Sequence, residues 1–181
     1  MRQGIARRLG ALAFALALVG SACGSDDDSA KATEASSSAQ PSTTTHRSAG
    51  YERTSINPWQ WSVDLGFNQG ELVRNATTTL HLAGQSAMSA DGEPMHEGDL
   101  AAQITLSLDN IEAVLAEADM SLRDVVKLDI YTTNVDALFE NYGLIAERLG
   151  AAGVHPPGSL IGVARLAYPQ LMVELVATAS K

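Results

Sequence analysis

Between Gly98 and Asp119 the apolar residues Leu100, Ile104, Leu108, Ile111 and Leu115 recur at intervals of three and four. That spacing, with polar residues between, predicts an amphipathic helix. Val125-Val126-Lys127-Leu128-Asp129-Ile130-Tyr131 alternates instead and predicts a strand with one buried face. A second helix follows, capped by Asn134 or Asp136, carrying Leu138, Tyr142, Ile145 and Leu149 on one side and stopped near Gly150 and Gly153. Pro156 to Leu166 and Gln170 to Ala177 read as two closing strands joined by a short turn. Upstream, Phe67–Val73 and Thr77–Ala83 predict strands, and Asp91-Gly92 marks a turn. Ile56-Asn57-Pro58-Trp59-Gln60-Trp61 is broken by its proline and reads as an edge strand or an extended arm. The sum is one α/β (α+β) domain, a mixed sheet with two helices on one face. Its other face is left open. If Val163 or Leu175 points that way, self-association is the simplest cover.

The first 50 residues follow a different pattern. Arg2, Arg7 and Arg8 precede the apolar run Leu9–Val19, and Gly20-Ser21-Ala22 leads into Cys23. This is the build of a secretory signal. The cysteine, followed by Gly24-Ser25-Asp26-Asp27-Asp28, resembles the lipobox of bacterial lipoproteins, in which the cysteine is acylated and becomes the new first residue. A cleaved signal, or an uncleaved anchor with an incidental cysteine, is the other reading. Gly24 to about Gly50 is rich in Ser, Thr, Ala and Asp and nearly free of large apolar residues, so it reads as a flexible tether. The expected organisation is a signal peptide at 1–22, an acylated Cys23 with its tether to residue 50, and a domain over 51–181.

Charge narrows the function classes. The formal charge is −9, and removing residues 1–22, which hold three arginines and no acid, lowers it to −12. An acidic chain without a basic cluster argues against a nucleic-acid partner. Cys23 is the single cysteine, outside the domain, so neither a disulfide framework nor a cysteine nucleophile is available there. His46, His81, His96 and His155 are scattered without metal-ligand spacing, and no phosphate-binding glycine loop is present. Ser159 lacks a nucleophile elbow and reads as a turn or strand-end hydroxyl. Lys127 and Asp129 share a strand face and can simply pair or be solvated. Glu174 is different. A carboxylate inside the apolar strand Leu171–Ala177 needs a partner, an exposed face or a site.

Five segments occur together in one order: Leu82-Ala83-Gly84-Gln85, the helix around Ala102–Ile111, Val125–Tyr131, Gly162-Val163-Ala164-Arg165-Leu166, and Val173-Glu174-Leu175. Over roughly Leu65 to the C-terminus the chain resembles the Rid family, the reactive intermediate deaminases or YjgF-like proteins. The resemblance implies a chorismate-mutase-like fold, a homotrimer, and small-molecule clefts between subunits. Active members hydrolyse enamines and imines without a cofactor. An arginine before the penultimate strand grips the substrate carboxylate, and a glutamate in the last strand positions or activates water. A planar guanidinium suits a carboxylate, and an adjacent acid can move the proton that imine hydrolysis requires.

Carried onto this chain, the pattern divides. Glu174 matches the family glutamate, and Gly84 with Gln85 matches the loop bordering the cleft. Phe67 stands in place of a tyrosine, Tyr142 in place of an asparagine, and Leu160, after Ser159, in place of a cysteine. The clamp arginine falls on Gly158, and Arg165 matches a different, structural arginine. The leading expectation is therefore a membrane-tethered, Rid-like small-molecule binder, trimeric, with neither cofactor nor metal and without the usual 2-imino acid deaminase activity. A working enamine or imine deaminase with a substitute arginine is the alternative, and a scaffold lipoprotein is the third reading. An arginine restored at position 158 is expected to raise activity if the rest of the cleft is intact.

Overall fold

The computed structural model describes residues 45–48, as backbone, and 50–181. The expected signal, Cys23 and most of the tether lie outside the described residues. In the described part, a three-stranded antiparallel sheet comprises β1 (Thr45–Ser48), β2 (Tyr51–Ile56) and β3 (Gly70–Arg74), with β2 in the centre. One helical turn, α1 (Trp61–Asp64), lies between β2 and β3. The larger sheet contains β4 (Thr79–His81), β5 (Gln85–Ser86), β6 (Val125–Thr132), β7 (Leu160–Gly162) and β8 (Val173–Ser180). Its order is β4-β8-β6-β7, with β5 also paired to β8. The helices are α2 (Leu100–Glu117) and α3 (Val135–Ala151). This is the expected α+β arrangement of a mixed sheet with two helices.

The helices begin where side chains satisfy their free N–H groups. Asp99 accepts from Ala102 N–H at 3.0 Å, and Asn134 accepts from Ala137 N–H at 3.1 Å, so Asn134 rather than Asp136 is the second cap. Ile104, Leu108, Ile111 and Leu115 of α2 and Leu138, Ile145 and Leu149 of α3 are buried. They meet Leu128, Ile130, Val173, Leu175, Ala177 and Ala179 from the sheet in one core. Burying a Leu or Ile side chain stabilises by roughly 1.5–3 kcal/mol before entropy is counted, so this layer carries the domain.

Several sequence expectations change. The closing strands are not neighbours: β6 lies between them, parallel to β7 and antiparallel to β8. β7 and β8 thus run antiparallel to each other with a whole strand between them, so residues 163–172 carry the chain across β6 where a short turn could not. Leu175 faces the helices, fully buried, and Val163 packs on a small cluster of Ala87, Leu166 and Leu171. Neither leaves the open face apolar. That face carries Lys127, Asp129 and Tyr131 on β6 and Glu174, Val176 and Thr178 on β8.

β3 lies within the expected Phe67–Val73 strand and its flank, but β1 and β2 fall outside the expected strands. β1 falls inside the segment expected to be tether, and β2 is a central strand ending before Pro58, with Trp61 in a helical turn. The reason is polar. Arg53 of β2 is buried and forms an ion pair with Glu71 of β3 at 2.8 Å, the two side chains being 7% and 4% exposed. Its other nitrogens donate to the carbonyls of Arg123 (2.5 Å) and Val125 (2.9 Å), which fasten the small sheet to the start of β6. Glu71 also accepts from Asn68 Nδ2 at 3.1 Å, and Asn68 Oδ1 accepts from Asn57 Nδ2 at 2.8 Å. A strand whose inward residue is arginine carries no apolar alternation to read.

Candidate functional site

Glu174 is the second residue of β8, half-buried, on the sheet face away from the helices. The ladder beside it is irregular. His81 pairs with Thr178 and Gln85 with Leu175, so four steps along one strand answer three along the other. This one-residue slip is a bulge at 82–84, and bulges re-aim side chains. Gly84 occupies it, and a β-carbon built there would stand 2.5 Å from Glu174 Cδ. Only glycine leaves room for the carboxylate at this approach. Ser86, just beyond the bulge, donates its hydroxyl to Glu174 Oε2 at 3.4 Å.

Across the other edge of β8, Tyr131 of β6 stands directly opposite Glu174, and Ile161 of β7 stands level with Tyr131. Ser86, Glu174, Tyr131 and Ile161 therefore form one row across four strands of the open face. Sequence reasoning missed Ser86 and Tyr131 as neighbours of the acid, because adjacency here depends on β8 lying between β5 and β6. Among the described residues Glu174 has no ion-pair partner. The start of β8 is held from α2: fully buried Gln103 donates to the carbonyl of Gln170 at 2.8 Å and accepts from Met172 N–H at 2.7 Å. Carboxylate position is thus set by a bulge on one side and a buried amide two residues upstream.

The remaining expected residues gather elsewhere. Asn68 N–H donates to the carbonyl of His155 at 2.8 Å, and His155 Nδ1 lies 3.3 Å from the carbonyl of Gly66. This ties the loop carrying Phe67 to the segment leading to Gly158. A β-carbon at Gly66 would meet Ala146 of α3 at 3.3 Å, one helical turn from Tyr142. Tyr142 is half-buried, and burial pushes its phenol pKa up, so the hydroxyl is neutral at ordinary pH. Leu160, expected to line the cleft, packs instead on the core beneath the sheet. Ser159 is held by its backbone, its N–H donating to Asp129 Oδ1 at 2.9 Å, while Lys127 pairs with the other oxygen of that carboxylate. Arg165 is exposed in the crossing loop.

Gly158 is enclosed by main chain. A β-carbon there would fall 2.5 Å from the carbonyl carbon of Leu128 and closer still to its oxygen. Leu128 N–H donates to the carbonyl of Pro157 at 3.1 Å, and Ile130 N–H donates to that of Ser159 at 2.7 Å, so both flanks are bonded to β6. The obstacle is main chain, which cannot swing aside. Position 158 therefore has no space for any side chain in this conformation, and the expectation that an arginine could simply be restored there does not hold. Gly158 also lies two strands across and three residues along from Glu174, about 14 Å at ordinary strand spacings. Within one copy of the chain the two groups of site residues are therefore separate.

Among the described residues no group of three His, Cys, Asp or Glu side chains is placed to hold a metal ion. A surface groove of about 450 Å³ lies between the ends of α2 and α3, lined by Glu112, Met120, Leu122, Arg123 and Arg148. It contains none of the residues above, and Arg148 is already paired with Asp109 (2.6 Å) and Glu112 (2.8 Å).

Comparison with known proteins agrees with this architecture. Residues 66–181 match the family described as Endoribonuclease L-PSP. The YyfB protein of the conserved Rid family from Yersinia pestis, itself described as of unknown function, is 38% identical over 71% of this chain and 98% of its own, with a TM-score of 0.63. The RutC family protein YjgH of Escherichia coli (strain K12) is 28% identical over 98 residues, 54% of this chain and 73% of that protein. The E. coli YjgF gene product, 23% identical with a TM-score of 0.52 over 60% of this chain and 87% of its own, shares the fold. The chain belongs to the Endoribonuclease L-PSP family, with Rid-family proteins among its relatives.

Proposed function

We propose that this protein is a Rid-type small-molecule binder that lacks 2-imino acid deaminase activity, its Glu174 site being completed by a neighbouring copy in a homotrimer. The observation that carries the reading is the closed position at Gly158. Where the family resemblance requires a guanidinium, the β-carbon itself would overlap the Leu128 carbonyl. A free imino acid would bring its carboxylate up to the Glu174 carboxylate, which has no ion-pair partner among the described residues, and like charges repel. Glu174 with Ser86 and Tyr131 suits instead a ligand that donates hydrogen bonds, either neutral or positively charged. The separation between the two groups of residues supports assembly. The family description names a nuclease, but a net charge of −9 opposes binding of a polyanion.

The test is hydrolysis of freshly generated 2-iminobutanoate by the purified protein. No rate above buffer is expected. A rate that disappears in Glu174→Gln would establish the deaminase reading instead. We further propose that the domain is exported and held at the membrane through an acylated Cys23, on the strength of the signal-like residues 1–22 and the polar stretch after them. Cys23→Ala is expected to move the protein from the membrane fraction to the soluble one, and unchanged fractionation would refute the anchor.

A further inference from the structure

The segment just before the family-matched region, residues 56–65, carries four exposed large apolar side chains, Ile56, Trp59, Trp61 and Leu65. Trp59 and Trp61 are the chain's two tryptophans, and they are 59% and 54% exposed. Trp61 meets Phe67 edge to face, with ring centroids 5.7 Å apart and an interplanar angle of 75°. That contact fixes the indole and leaves most of it in solvent. Asp64 lies three residues after Trp61 on α1 and is exposed, which places a carboxylate and an indole on one side of the same turn. No basic residue lies in that turn. The nearest arginine in sequence, Arg53, is buried and consumed by Glu71 and two carbonyls.

Exposed aromatic faces beside unneutralised carboxylates are the chemistry that binds organic cations. The face of an indole attracts a cation more strongly than that of any other side chain, and a nearby acid adds charge attraction without filling the ring face. We propose that Trp61, with Phe67 against it and the Asp64 carboxylate (which accepts only from the neutral Gln60 Nε2, at 3.2 Å) three residues on, forms the wall of a binding site for a small organic cation bearing a quaternary ammonium or amine head. This deepens the reading of the cleft, since Phe67 is one of its expected residues and Glu174 is an acid awaiting a positive partner. The aromatic wall is nevertheless tested separately.

Choline and its uncharged isostere 3,3-dimethylbutanol differ only in the charge of the head. Titrated into the full-length protein, choline is expected to give a saturable change in tryptophan emission, which reports Trp59 and Trp61 alone. The isostere is expected to bind roughly two- to fivefold more weakly. Trp61→Ala should abolish saturation, with Trp59 still reporting and circular dichroism confirming the fold, while Trp61→Phe should retain weakened binding. Equal binding of the two probes, no saturation by choline, or unchanged binding in Trp61→Ala would each overturn the proposal. So would a tryptophan spectrum that changes with protein concentration and not with choline, because a second copy would then cover the patch. Deaminase activity lost in Glu174→Gln would defeat the reading of the cleft but leave the choline titration unaffected.

Discussion

Gly158→Ala is the substitution that most directly tests the account of the site. The added methyl would stand 2.5 Å from the Leu128 carbonyl carbon, against an ordinary contact of about 3.5 Å or more. Because the obstacle is backbone, relief requires parting β6 from residues 157–159. Overpacking of this kind costs about 1–3 kcal/mol. Weakening the bonds from Leu128 N–H to Pro157 and from Ile130 N–H to Ser159 costs about 0.5–1.5 kcal/mol each. Against this, alanine restricts the unfolded chain and returns roughly 0.4–1 kcal/mol. The net is a loss of about 1–5.5 kcal/mol, a large share of the roughly 5–15 kcal/mol that holds a domain of this size. At about 3–4 °C per kcal/mol, Tm should fall by roughly 3–20 °C. Thermal and urea melts followed by circular dichroism measure it, and Gly158→Arg should lose at least as much while gaining no deaminase activity. If Gly158→Ala melts within about 1 °C of the parent, the position is open and the argument from it collapses.

Gly84→Ala should behave oppositely, because its methyl meets the movable end of Glu174 rather than main chain. We expect a stability loss of no more than about 1–2 kcal/mol but at least a tenfold loss of whatever ligand binding Glu174→Gln also removes; wild-type binding in Gly84→Ala would contradict the packing. Arg53→Met leaves Glu71 buried without its cation and should cost about 3–5 kcal/mol, whereas Arg53→Met with Glu71→Leu should recover much of it. Equal melting of the single and double variants would show that the ion pair is not what fastens the small sheet.

Much of the larger sheet and both long helices could be read along the chain, because their burial is periodic. Leu100 to Leu115 and the alternation of β8 each state which side faces inward. Glu174 stood out because it breaks that alternation's apolar setting. What could not be read was lateral order. Nothing local in Val173–Ser180 says that it inserts between β4 and β6, and this insertion alone makes Ser86 and Tyr131 neighbours of Glu174. β2 escaped detection because its inward residue is a charged one, satisfied by a partner 18 positions away. Gly158 was visible as a glycine, but the reason for it is a carbonyl from another strand.

The bulge at residues 82–84 has a role beyond seating a carboxylate. β4 and β5 run along the outer side of β8, at the rim of the larger sheet. A long straight rim would present an even row of unpaired amides and carbonyls, a template on which other chains can stack. The slip between His81 and Gln85 breaks that row into pieces of three and two residues. Deleting one residue there would straighten the rim, and the resulting protein would be expected to aggregate as well as to lose its site. The irregularity that seats Glu174 also breaks up the edge on which further strands could add.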